Sequence, residues 1–197
     1  MTRYLTAGIV GLVVAGAISF GLNFIAAAGG EKPDATGWIV GAVFGAIAAY
    51  AAANMAGNRR ETKASAAEKT QALTFQPPEG QGLLVVYRDG YIGKLVGLNL
   101  ALDGRPFAQI KSPRFTAVAV TPGEHVLTAG FGGLAGPQNK TNESKVTFRA
   151  GEVLVVKASV AMGILANTIR LEAAPLSDDL LGKLGRMPMV RSDLAAA

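Results

Sequence analysis

The chain has 197 residues, half of them hydrophobic, and carries a formal net charge of +5 at neutral pH. It has no cysteine and one histidine, which excludes disulfides, thiolate metal sites, a cysteine nucleophile and a histidine-rich metal site. The basic balance predicts an anionic neighbour. Membrane lipids fit better than nucleic acid, because no basic run is interleaved with aromatic residues.

Two apolar segments fill the first part of the chain, residues 1–58. No charged side chain lies between Arg3 and Glu31, and the stretch over about 5–28 is long enough to cross a hydrocarbon core of about 30 Å. A second charge-free stretch predicts another helix over about 37–56. The sequence therefore predicts a transmembrane helical hairpin.

Small residues recur every four positions along the second segment: Gly37, Gly41, Gly45, Ala49 and Ala53. At this spacing they share one helix face, where small side chains let another backbone approach closely. We predict that this face packs against the first helix, a second copy of the chain or a membrane protein partner. General richness in Ala and Gly is the competing interpretation. A looser set of small residues lies on the first segment: Gly8, Gly11, Ala15 and Gly16.

Flanking charges predict the topology. Arg59, Arg60 and Lys63 follow the second segment, whereas the loop between the segments has two acidic residues against one lysine. The positive-inside rule then places both ends of the hairpin in the cytoplasm, as a two-pass protein of a bacterial inner membrane. The three cations are expected to lie at the level of the lipid headgroups.

A cleaved signal peptide is the alternative interpretation of the first segment. Arg3, a long apolar region and the small residues at 26–30 fit that pattern. Cleavage alone would leave the following domain in the cytoplasm, because Arg59 and Arg60 still hold that end of a second spanning helix inside. The domain becomes periplasmic only if the second segment does not span.

The rest of the chain predicts a linker, a β-domain and a short tail. Residues 59–80 are expected to be partly helical, because Ala, Glu, Lys and Arg are good helix formers. Over 81–175, about eight short β-rich runs alternate with turn signals, which is typical of a small all-β antiparallel sandwich. Residues 176–197 are expected to form a short helix, capped by Ser177, and a frayed tail. The predicted fold class is a membrane-anchored α+β protein.

Turn residues indicate which strands follow one another. Asp103 and Gly104 predict a hairpin between VGLNLAL and PFAQI. Pro122 and Gly123 predict a turn after which RFTAVAV pairs with HVLTAG, and SKVTFR is expected to pair with EVLVVKA. His125 begins a strand and has no local nucleophile, so we interpret it as a structural turn residue.

The segment LALDGRPFAQIKSPRFTAVAVTPGEHVLTAG resembles the core of the PEGA-like and related lipoprotein-type β-domains of bacteria. The residues that carry the resemblance are Asp103, Gly104, Pro122, Gly123, Glu124 and His125. The resemblance covers residues from about 83 to 171 and implies a small β-sandwich without established chemistry. Members of this group are often exported, whereas the flanking charges place this domain inside.

These features predict a non-catalytic membrane-anchored interaction protein, an accessory or assembly subunit of a membrane protein complex. No catalytic, cofactor-binding or metal-binding residue is predicted. The alternative is an exported, envelope-tethered binding module that contacts cell-wall or outer-membrane components. An enzyme is disfavoured because neither apolar segment contains the acidic, basic or histidine side chains that pumps and transporters use.

Overall fold

The computed structural model describes residues 2–133, 136, 139–161 and 167–194. The chain divides into two compact units, Met1–Gly57 and Asn58–Ala197, which we call unit 1 and unit 2. The elements in chain order are α1 (Thr2–Ala28), α2 (Ala35–Met55), α3 (Ala66–Leu73), β1 (Gly82–Arg88), β2 (Leu98–Leu102), β3 (Arg105–Ile110), β4 (Arg114–Val120), β5 (Gly123–Phe131), β6 (Asn139–Lys140), β7 (Asn142–Phe148), β8 (Val153–Ala161), β9 (Asn167–Ala173) and α4 (Asp178–Arg186).

Unit 1 is a pair of helices, each long and apolar enough to cross a membrane. Asp34 caps α2, where its Oδ1 accepts a hydrogen bond of 2.9 Å from the backbone N–H of Thr36. The mean hydropathy of the apolar stretch is 2.2 in α1 and 1.6 in α2. Both helices turn their large apolar side chains outward: Leu5, Ile9, Leu12, Val13, Phe20, Phe24, Ile25, Trp38, Ile39, Val43, Phe44 and Ile47 are exposed.

Unit 2 contains two β-sheets. One has the strand order β4-β1-β8-β9-β6 and the other β3-β2-β5-β7. All eight predicted strands are present, although the first residues of the last one lie outside the described residues. The chain is therefore an α+β protein with two N-terminal apolar helices.

The prediction of a purely antiparallel arrangement is wrong for two strand pairs. β1 pairs with β8 in parallel, and so does β6 with β9. Parallel pairing needs a long connection, and the whole four-stranded sheet lies in the chain between β1 and β8. Turn residues indicate pairing only between consecutive strands. They therefore could not predict the pairing of β1 with β8.

Two predicted strand pairings are also wrong. β4 pairs with β1, whereas β5 pairs with β2 and β7 in the other sheet. Likewise β7 pairs with β5, and β8 pairs with β1 and β9. At both places the strand that follows the turn joins the other sheet. A turn signal does not distinguish these two outcomes.

β1 is buried on both faces, as its continuous apolar run LLVVYR indicates. Leu84 and Val86 join a cluster to which both sheets contribute. Val85 and Tyr87, on the opposite face, join a second cluster that contains residues of α4. The predicted Ser177 cap of α4 is confirmed, since Ser177 Oγ accepts a hydrogen bond of 3.3 Å from the N–H of Leu180.

The prediction of a frayed tail is wrong for the described residues that follow α4. Met189 and Val190 are buried. The N–H of Val190 donates to the carbonyl of Phe115 at 2.8 Å, and that of Phe115 donates to the carbonyl of Pro188 at 3.3 Å. The tail thus forms hydrogen bonds with backbone groups of the edge strand β4. The tail is too short to show a sequence pattern from which this docking could be predicted.

Leu184→Ala should destabilise unit 2, because Leu184 is fully buried between α4 and the sheet. Removing a buried leucine side chain costs about 2–5 kcal/mol. We expect a lower midpoint of thermal unfolding for the full-length variant in detergent, followed by the circular dichroism of the β-sheets. Leu176→Ala is the matched control, since Leu176 is exposed and should leave the midpoint unchanged. Equal midpoints for both variants would contradict the docking of α4.

Candidate functional site

The small-residue face of α2 packs against α1 within the same chain. Gly37, Gly41, Gly45 and Ala53 are buried, and Ala49 is half-buried. A β-carbon at residue 45 would lie 2.6 Å from the β-carbon of Ala15 and 2.6 Å from the carbonyl oxygen of Gly11. The two backbones therefore approach so closely that only glycine fits at this point of the contact.

The opposing face of α1 also has a four-residue period. Its residues are Ala7, Gly11, Ala15, Ser19 and Asn23. The two helices run antiparallel, with these residues opposed: Gly11 to Ala49, Ala15 to Gly45, Ser19 to Gly41 and Asn23 to Gly37. One further step of the same four-residue period would oppose Ala7 to Ala53, and both of these residues are buried.

The small residues predicted on α1 match this contact face only in part. Gly11 and Ala15 lie in the contact, but a β-carbon at Gly8 or Gly16 would meet no atom within 4 Å. The sequence signal for this face is a four-residue period that includes small polar residues, because Ser19 and Asn23 continue the spacing of Gly11 and Ala15. Asn23 Nδ2 donates to the carbonyl of Ser19 at 2.9 Å, so its amide group is bonded within α1.

The predicted headgroup cations lie at the start of unit 2. Arg59, Arg60 and Lys63 are all exposed. Glu61 lies among them, with a largely buried carboxylate that pairs with Arg114 at 3.1 Å. Exposed cations in this stretch can interact with an anionic surface while Glu61 attaches the segment to unit 2.

The predicted turn residues form a small network. Asp103 has a positive φ of 50° and Gly104 one of 74°, as the predicted two-residue hairpin between β2 and β3 requires. Pro122 lies in the short turn between β4 and β5, and Gly123, the first residue of β5, has a φ of 137°. His125 Nδ1 lies 2.6 Å from Asp103 Oδ2, which joins the two turns.

His125 is held in a geometry that favours its charged form. Its Nε2 lies 2.8 Å from the carbonyl oxygen of Thr121, so both ring nitrogens face acceptors and both must donate. Burial lowers the pKa of His125, but the hydrogen bonds to Asp103 and Thr121 outweigh this and raise it overall. The hydrogen bond from His125, with that from the N–H of Val126, lowers the pKa of Asp103. These contacts connect His125 to Asp103 and to Thr121 within unit 2.

A groove of about 870 Å³ is lined by α3, β4 and residues 189–194. Two carboxylates line it, those of Glu68 and Asp193, and Glu68 pairs with Arg191 at 3.1 Å. Hydrogen bonds from the backbone N–H and side chain of Ser65 lower the pKa of Glu68, so it stays ionised at neutral pH. An acid–base catalyst needs a pKa near the working pH. Glu68 is therefore better suited to capping α3 than to proton transfer.

The side chains of Arg88 and Asn58 hold the loop of residues 89–97, and neither residue was predicted to have a role. Arg88 is a buried arginine at the end of β1, and Asn58 is the first residue of unit 2. Neither belongs to a recognisable motif, so no sequence signal marks them. In the described part of the chain, no group of three or more His, Asp or Glu side chains could hold a metal ion.

No protein-family model matches this chain, and no curated protein matches it either.

Gly45→Leu should separate α1 from α2, because the added side chain collides with Ala15 and the Gly11 carbonyl. The chain is free of cysteine, so Ala7→Cys/Ala53→Cys gives a clean disulfide reporter. Cysteines whose Cα atoms are more than about 7 Å apart do not form a disulfide. We expect oxidative cross-linking of the pair in membranes and its loss on adding Gly45→Leu.

Gly16→Leu is the matched control for this experiment, since Gly16 faces open space and should leave cross-linking intact. Equal cross-linking in the Gly45→Leu and Gly16→Leu backgrounds would contradict the helix contact.

The His125–Asp103 pair should stabilise unit 2 most in mildly acidic solution. Because the pKa of His125 is raised, its contribution is complete below the unfolded value of about 6.5 and is lost as the pH rises through the folded value. Because the pKa of Asp103 is lowered, its contribution is complete above about 3.8. His125→Gln should therefore lower the thermal unfolding midpoint more at pH 5.5 than at pH 8.5.

The control for this comparison is Lys145→Gln. Lys145 is an exposed residue of β7, so this substitution should change the thermal unfolding midpoint equally at both pH values. If His125→Gln lowered the thermal unfolding midpoint more at pH 8.5 than at pH 5.5, the proposed pairing of His125 with Asp103 would be contradicted.

Proposed function

We propose that this chain is a non-catalytic, membrane-anchored interaction protein in which α1 and α2 span the bilayer as a hairpin and unit 2 contacts a partner. The observation that carries the proposal is the inverted pattern of unit 1. Its interior contains small and polar residues, and its surface contains the large apolar ones.

This pattern is unfavourable in water and favourable in lipid. Leu12 is 75% exposed and Phe20 is 72% exposed, so the hairpin presents a continuous apolar surface. Lipid tails are as apolar as leucine, so burying large side chains between helices gains little in a bilayer. Close approach of small residues supplies the association instead. Ser19 and Asn23 face the helix contact, where their polar groups are away from lipid.

The same contact bears on where a partner binds. Because the small-residue face of α2 packs on α1 of the same chain, a membrane protein partner or a second copy would meet the outer faces of the hairpin. Unit 2 supplies the other surface. A role as accessory or assembly subunit of a membrane complex fits a protein that combines a lipid-facing hairpin with a compact unit of two sheets.

The exposed cations Arg59, Arg60 and Lys63 support a cytoplasmic unit 2 and a two-pass location in a bacterial inner membrane. Both sheets contribute to one apolar cluster, which supports the sandwich arrangement that the PEGA-like resemblance implies. An exported binding module is the alternative function. The groove between α3, β4 and residues 189–194 favours it, because such a concavity could accept an envelope component.

Single-cysteine labelling tests the proposal in a chain that has no cysteine of its own. Lys32→Cys lies in the loop between α1 and α2, and Ala150→Cys lies in an exposed turn of unit 2. In intact spheroplasts, a membrane-impermeant maleimide should label residue 32 only. Residue 150 should react after lysis, and alkaline carbonate should leave the protein in the membrane fraction.

Labelling of residue 150 in intact spheroplasts would favour the exported module, and release by carbonate would contradict the spanning hairpin. For a correctly inserted protein, purification in mild detergent with mass spectrometry should then recover a stoichiometric membrane partner. Recovery of the chain alone would contradict the accessory-subunit role.

A further inference from the structure

Unit 2 displays an apolar loop, residues 89–97, between β1 and β2. Tyr91 is 86% exposed, Leu95 66% and Ile92 37%. Among the described residues of unit 2, the only other exposed large hydrophobic side chain is Leu176. Exposed apolar side chains are thus concentrated in five consecutive positions, a pattern that marks an interaction site.

Arg88 holds this loop from inside. Its guanidinium donates to the carbonyls of Ile92 at 2.9 Å, Gly93 at 2.8 Å and Val96 at 2.8 Å, and lies 5.2 Å from the centre of the Phe131 ring. Burial lowers the pKa of Arg88 to about 10, so it stays charged at neutral pH. A buried cation is costly unless its hydrogen bonds are satisfied, and here loop carbonyls satisfy them.

Backbone hydrogen bonds fix the loop further. The N–H of Lys94 donates to the carbonyl of Tyr91 at 3.1 Å, and that of Val96 donates to Gly93 at 3.0 Å. The carbonyl of Lys94 accepts from the N–H of Ser112 at 3.3 Å. The apolar side chains are therefore held outward by an ordered backbone, which lowers the entropy cost of binding a surface.

The loop is tied to the point where unit 2 begins. Asn58 Nδ2 donates to the carbonyl of Leu95 at 2.9 Å, and Asn58 Oδ1 accepts from the N–H of Gly97 at 2.7 Å. The next residue, Arg59, donates its N–H to Gln109 Oε1 at 2.6 Å. Asn58 comes three residues after α2 ends at Met55, so the covalent chain limits their Cα separation to about 11 Å.

We propose that the loop of residues 89–97 inserts Tyr91, Ile92 and Leu95 into the headgroup region of the bilayer that α1 and α2 span. The inference rests on the proposed spanning hairpin, because the tether at Asn58 keeps the loop near the end of α2. The binding partner of the loop is therefore a lipid surface. Tyrosine is enriched at membrane interfaces, and aliphatic side chains gain free energy on leaving water.

The positive charges near the loop also favour a lipid surface as its binding partner. Lys94 Nζ lies 5.3 Å from the centre of the Tyr91 ring, so a cation accompanies the aromatic group that would enter the interface. Lysine can keep its ammonium group among the headgroups while its aliphatic stem lies along apolar surface. The exposed Arg59 and Arg60 add positive charge next to Asn58, which fits anionic lipid.

The consequence is a second attachment of unit 2 to the membrane. A single flexible tether would let unit 2 rotate freely, whereas a tether plus an inserted loop fixes which of its faces lies on the lipid. The opposite end of β1 would then face away from the membrane.

Depth-dependent fluorescence quenching tests the proposal on the full-length chain in nanodiscs of phosphatidylglycerol and phosphatidylcholine. Single cysteines at Tyr91→Cys, Ala150→Cys and Phe44→Cys carry an environment-sensitive dye. Ala150 lies at the opposite end of β1, since Gly151 and Glu152 bond to Gln81 and Leu83. That end is about 20 Å from the loop by the rise of a seven-residue strand.

The dye at residue 91 should be quenched by a nitroxide on the lipid headgroup or upper acyl chain, and shielded from iodide. The dye at residue 150 should show the reverse. If lipid nitroxides quenched the dye at residue 44 but not the dye at residue 91, the loop insertion would be overturned and the spanning hairpin would stand. Absence of lipid quenching at residue 44 would overturn the hairpin itself. Equal lipid quenching at residues 91 and 150 would overturn the preferred orientation.

Discussion

The close approach of α1 and α2 at Gly11 and Gly45 is the constraint on which the account depends. A β-carbon at either position would lie within 2.8 Å of the facing helix, so the contact requires glycine at both. With the small residues turned inward, the large apolar residues of unit 1 must face outward. That outward surface makes a bilayer the favourable environment. The proposals for function follow from this pattern, because a hairpin in lipid fixes where the chain enters unit 2 at Asn58.

Unit 2 is organised around β1. This strand is buried on both faces, pairs with β4 on one side and β8 on the other, and ends at Arg88. One face contributes to the cluster formed by the two sheets, and the other is covered by α4 and the tail. Arg88 links this rigid strand to the exposed loop that follows it. The loop that we assign to the lipid surface is thus supported directly by the core.

Much of the fold could be predicted from local patterns. The two apolar segments, the eight strands and the Asp103–Gly104 hairpin each have a periodicity or turn signal that acts over a few residues. Pairings between distant strands could not be predicted, because the parallel β1–β8 pair depends on how the entire second sheet is inserted between them. The docking of Val190 on β4 was missed for a similar reason. Part of the α1 contact was missed because Ser19 and Asn23 are small polar residues rather than Gly or Ala.

We propose that α1 and α2 lie in lipid with their small residues facing each other. Nitroxide scanning along α2 of the full-length chain in liposomes tests it most directly, by measuring the accessibility of each position to oxygen and to a water-soluble nickel complex. We expect oxygen accessibility to vary with a helical period of about 3.6 residues, with maxima at Val43, Phe44 and Ile47 and minima at Gly41 and Gly45. The nickel complex should be excluded throughout the middle of the helix. Nickel accessibility there, or oxygen maxima at the two glycines, would contradict the account.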